Sequence, residues 1–115
     1  MIRKSSDKGL IDITPEVFTN IVGDTASNCF GVKGMASRKE GGWYLLRRES
    51  MSKGVKVNFD DSGAVAVELH IVVDHGVNLS ALSESIMNEV SYKVHAATGV
   101  PVERVDVYID SMDMD

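Results

Sequence analysis

The chain has 115 residues, which suits one domain with a real core and leaves little room for a second. Its apolar share of 43% and charged share of 25% are those of a folded globular protein. It carries 12 basic and 17 acidic residues, and the formal charge of −5 argues against broad nucleic-acid binding, which needs a surplus of Lys and Arg to displace counterions.

Residues 1–8 are polar and charged, with no apolar run behind them. They read as a flexible N-terminus and not as a signal peptide. Leu10-Ile-Asp-Ile13 alternates and predicts a short strand. Thr14-Pro15-Glu16 predicts a helix start, with Thr as cap, Pro at the first helical position and Glu at the positive end of the dipole. Ile13 and Phe18 stand at the two positions of a hydrophobic staple. Phe18, Ile21, Val22 and Ala26 then give one apolar face, and the helix is expected to end near Asn28.

Phe30-Gly-Val-Lys-Gly-Met-Ala36 reads as a strand carrying two glycines, which mark a bulge or a close backbone approach. Residues 37–53 change character: Gly41-Gly42 interrupts a basic stretch, and Trp43 to Leu46 form an aromatic and aliphatic block. The expectation there is a loop with one or two helical turns. Gly54-Val-Lys-Val-Asn-Phe59 alternates, Asp60-Asp-Ser-Gly63 is a turn by composition, and Ala64 to Asp74 is the clearest strand. On that strand Val65, Val67, Leu69, Ile71 and Val73 share one face, and Glu68, His70 and Asp74 share the other.

A second helix is predicted from about Leu79 to Thr98, capped by Asn78, with Val77 and Leu82 as staple. Leu79, Leu82, Ile86, Val90, Val94 and Ala97 form its stripe. Gly99 ends it and Pro101 prevents its return. Val105, Val107 and Ile109 alternate with Asp106, Tyr108 and Asp110 in a last strand, and residues 111–115 read as an acidic tail. Together these predict a single α+β domain over residues 9–110. Two helices would pack on one face of a mostly antiparallel sheet of about four strands. The strand–helix–strand unit from 64 to 110 would set its two strands parallel.

The residues that could carry chemistry are few. Cys29 is the only cysteine, so no internal disulfide is possible, which fits a reducing cytoplasm. It follows an apolar helix and reads as structural, since no histidine stands in a motif that would activate it. Glu68, His70 and His75 offer metal or small-ligand donors, but none of the tight paired spacings of metal motifs is present. Gly31-Val-Lys-Gly34 follows one helix and leads into a strand, unlike the glycine loop of an RNA-binding KH domain, which joins two helices. The mixed block with Trp43, Tyr44, Arg47 and Arg48 suits a partner surface, and Tyr92 points away from the stripe of the second helix, near Ala81, Ser85 and Ala96. No stretch approaches the ~20 apolar residues of a membrane span. The expectation is therefore a protein without enzymatic activity, cofactor or metal. It would bind itself or a protein partner, and reach a membrane only peripherally or through that partner. An RNA-binding module and a metal- or ligand-binding protein are the alternatives.

Four strings in order resemble one family. They are Asn28-Cys-Phe-Gly-Val-Lys-Gly-Met-Ala36, Lys53-Gly-Val-Lys-Val57, Glu68-Leu-His-Ile-Val-Val-Asp-His-Gly-Val-Asn-Leu79, and Ala97-Thr-Gly-Val-Pro-Val102 with Val105-Asp-Val107. Their order and spacing are similar to the bacterial alkaline-shock, or envelope-stress-response, protein family. The resemblance implies a cytoplasmic protein of Gram-positive-type bacteria linked to cell-envelope stress, in a family where some members self-associate or are held at the membrane by an anchor protein. It brings no catalytic residues. The Trp43–Arg48 block and His75 depart from what the family leads one to expect.

Overall fold

The computed structural model describes residues 2–39, 42–45 and 54–113. The first element corrects an expectation. β1 (Ile2–Ser6) and β2 (Gly9–Ile13) form an antiparallel hairpin, in register from Ile2 opposite Ile13 to Ser6 opposite Gly9. A polar strand such as β1 has no apolar alternation to reveal it, so pairing and not pattern defines it. Arg3 and Asp12 lie 3.7 Å apart across it.

α1 (Pro15–Ser27) starts at the predicted proline. Thr14 precedes it in extended geometry, but its side chain makes no capping hydrogen bond. Phe18, Val22 and Ala26 are buried, and Ile13 packs against the same core, as the staple predicts. The remaining elements are β3 (Val32–Lys39), β4 (Gly42–Leu45), β5 (Val55–Phe59), β6 (Val65–Asp74), α2 (Leu79–Thr98) and β7 (Val102–Asp113). β7 therefore continues through Ser111, Met112 and Asp113, where a tail was expected.

β6 is the centre of the five-stranded sheet. β5 lies antiparallel along its first half, from Phe59 opposite Val65 to Val55 opposite Leu69. β3 takes over along the second half, with Met35 opposite Ile71 and Val32 opposite Val73. β7 runs parallel to β6 along its whole length, the arrangement expected of a strand–helix–strand unit. Past Ala36, β3 leaves β6 and pairs with β4, from Ala36 opposite Leu45 to Lys39 opposite Gly42. Part of the segment expected to be loop is thus a strand ribbon running beyond the main sheet.

Both helices cover one face of the sheet. Val65, Val67, Leu69, Ile71 and Val73 of β6 meet Phe18 and Val22 of α1 and Leu82, Ile86, Val90 and Val94 of α2 in one core. Burial of these apolar side chains is the dominant stabilising term. α2 has the predicted cap, with Asn78 Oδ1 accepting from the Ala81 amide at 3.0 Å. It ends at Gly99, at φ +74°, whose amide donates to the His95 carbonyl at 2.8 Å. Gly99→Ala is expected to lower stability by about 1 kcal/mol, because an L side chain is disfavoured in the left-handed region. Urea denaturation measures this directly, and no change would show that the cap tolerates a side chain.

Candidate functional site

The sheet face away from the helices is polar. Alternation places Lys56, Glu68, His70, Arg104, Asp106, Tyr108 and Asp110 there. His70 is its centre. Nδ1 lies 2.7 Å from Asp110 Oδ2 and Nε2 lies 3.3 Å from Glu68 Oε2. The Tyr108 ring stacks on the imidazole at 4.8 Å, tilted 14°. The register shift between Ile71 and Val72 leaves Asp110 as the extra residue on β7, beside the histidine. Arg104 donates to Asp106 at 2.9 Å nearby. Carboxylates thus face both ring nitrogens, and a metal ion would have to displace one of them.

His75 is not part of this group. It lies past the end of β6, beside Phe30 and Asn78. The proposed donor set of Glu68, His70 and His75 does not converge, because two of its members are on the open sheet face and the third is in the turn before α2. Among the described residues no group of three His, Cys, Asp or Glu side chains is placed to hold a metal ion.

The other surface is the solvent side of α2. Phe30, read from sequence as the start of a strand, precedes β3 by two residues and is 95% exposed. Gly31 explains its placement. At φ +92° it packs against Val77 and Leu82, and a Cβ there would sit 3.0 Å from Val77 Cγ1. The chain turns on this glycine and leaves the Phe30 ring outside. The ring borders an open groove of about 580 Å³ floored by Val77, Ala81, Leu82 and Ser85. A second furrow, of about 430 Å³, continues from Ser85 between α1 and α2 and carries Asp24, Cys29, Glu89 and Lys93. Tyr92 is 68% exposed on the same side of α2, as its off-stripe position predicts.

Cys29 is partly buried in that furrow, its thiol 3.4 Å from the Thr25 carbonyl. Burial, and then the Glu89 carboxylate, push the thiol above its ordinary range, the opposite of what a nucleophile requires. Trp43 and Tyr44 belong to β4, and Arg47 and Arg48 lie outside the described residues. The residue that sequence reasoning missed is Phe30. Its signal was the Asn28-Cys-Phe-Gly31 string, a helix exit closed by a glycine, which makes the aromatic residue part of a turn.

A family model described as alkaline shock protein 23 family, cell envelope-related function, matches residues 3–114. The chain is 32% identical over 107 residues to the uncharacterized protein YloU of Bacillus subtilis (strain 168), covering 90% of this chain and 88% of the relative. It is 32% identical over 114 residues to the uncharacterized protein Spy1614 of Streptococcus pyogenes serotype M6, covering 96% and 93%. Among solved structures, the copper form of the MamM CTD is similar in fold, with a TM-score of 0.53 at 14% identity over 87% of this chain and 88% of that one. A second MamM CTD structure aligns with a TM-score of 0.52 over 85% and 99%. At such identity the likeness is one of fold alone.

Proposed function

We propose a function from one premise, that this chain belongs to the alkaline shock protein 23 family, of cell envelope-related function: it is a non-enzymatic interaction protein of envelope homeostasis. It works in the cytoplasm and meets the membrane through a protein partner. Among the described residues no helix is long and apolar enough to cross a membrane. The observation that carries the reading is Phe30. A phenylalanine with 95% of its surface in water forgoes roughly 2 kcal/mol of burial, and an exposed aromatic beside an apolar groove is what a binding surface presents. The alternative of RNA binding draws less support. On the open sheet face Glu68, Asp106 and Asp110 would meet the phosphates.

Phe30→Ser tests the assignment of the surface. Because the ring makes almost no contact within the chain, the substitution is expected to leave the folding free energy within about 0.5 kcal/mol. Capture of envelope-associated proteins from cell extract, with sizing by light scattering, is expected to show loss of association in the variant. A wild-type protein that is strictly monomeric and enriches no partner would sink the reading.

A further inference from the structure

We propose that α2 pairs antiparallel with α2 of a second copy of this chain, about a two-fold axis at the level of Val90 and Ser91. The inference rests on reading the protein as an interaction module, and it adds the partner and the register. Residues three and four apart share one face of a helix. Ala81, Ser85, Asn88, Tyr92 and Ala96 follow that spacing, and all are exposed. Close packing of two such faces favours small side chains where the two backbones approach. An axis at this level supplies such a pair. It sets Ser85 opposite Ala96 of the second copy and Tyr92 opposite Asn88, within about one residue's rise of 1.5 Å. Phe30, beside Ala81 and Ser85 in the groove, then reaches the level of Ala96 of the second copy.

Charge decides the occupant and its direction. At about 100° per residue, Glu89 and Lys93 lie on one flank of this face, and Glu84 and His95 lie on the other. Glu89 and Lys93 both line the furrow between the helices, and neither is in an ion pair among the described residues. Rotation about the two-fold keeps like flank against like flank. Glu89 then faces Lys93 of the second copy, Lys93 faces its Glu89, and Glu84 meets its His95. A parallel pair, about an axis along the helices, would set each flank against the opposite one, and Glu89 and Lys93 would then not meet their counterparts. A uniformly acidic or basic partner would satisfy one member of each pair and repel the other. Self-complementarity of this kind is the property of a two-fold interface.

Sedimentation velocity of the full chain at graded concentrations tests this. The wild type is expected to exchange between monomer and dimer. Glu89→Lys and Lys93→Glu are each expected to weaken the dimer by roughly ten- to a hundredfold, since either change makes both symmetry-related contacts repulsive. Mixing the two variants is expected to restore a heterodimer, because each contact then again joins opposite charges. Neither position is in the core, and thermal melts of each variant confirm that the fold is kept. Loss in the single variants with recovery on mixing supports the proposal. A dimer untouched by either reversal, or variants that stay monomeric when mixed, overturns this surface and leaves self-association standing. A wild type that is monomeric at every concentration also overturns it, and leaves the broader reading to the capture experiment.

Discussion

Phe18→Ala is expected to destabilise the protein by about 3–5 kcal/mol, the largest effect of any single substitution considered. Phe18 is fully buried where α1 crosses the sheet, and its ring meets Phe59 of β5 edge-on, with centroids 5.2 Å apart and planes at 76°. Removing it loses the transfer free energy of a large apolar side chain. It also leaves a cavity between two elements that cannot close without moving the helix. A domain of this size has roughly 5–15 kcal/mol in hand, so the variant would be poorly folded at physiological temperature. The shift in the urea midpoint followed by circular dichroism measures the loss. The edge-on pair adds a second expectation. Phe59→Ala in the Phe18→Ala background should cost less than it does alone, because part of its loss is the shared contact. A loss below about 1.5 kcal/mol for Phe18→Ala would mean the ring is not at the centre of the core.

That core was legible in the sequence because it is built from periodic patterns with one dry face each. β6 alternates from Val65 to Ile71, and the α2 stripe of Leu82, Ile86, Val90 and Val94 repeats every fourth position. Leu79 and Ala97, assigned to the same stripe, are exposed at the two ends of the helix. β1 and β4 were not legible. Each is short and paired in a ribbon, where backbone hydrogen bonds and not apolar alternation define the strand. The His70–Asp110 contact joins residues 40 apart in the chain, so it depends on the parallel register of β6 and β7 and on the shift after Ile71. Phe30 was read as the start of a strand, whereas β3 begins at Val32 and the turn at Gly31 leaves the Phe30 ring exposed.

Gly54 should be harder to replace than Gly99, and the reason is space and not backbone freedom. β3 and β5 follow one another along the same edge of β6, and Gly54 is buried where one gives way to the other. A Cβ there would stand 2.9 Å from the Ala36 carbonyl oxygen, 3.1 Å from Met35 Cβ and 3.2 Å from the His70 carbonyl oxygen. Two of these three neighbours are backbone atoms of the sheet, so relief requires a strand to shift and not a side chain to rotate. Gly54→Ala is therefore expected to cost about 1–3 kcal/mol, and Gly54→Val more, by the overpacking that a close-packed interior resists. Gly99→Ala supplies the contrast. Its cost is conformational, and the atoms near its Cβ are the end of the flexible Lys4 side chain. Gly54→Ala should then exceed Gly99→Ala in urea denaturation. Its damage should also be local, with faster amide exchange in β3 and β5 beside the junction, while the α2 amides report only the global loss. The reverse order of the two variants would mean that the junction yields. The edge of β6 would then be pliable at the point where the β3–β4 ribbon departs from it.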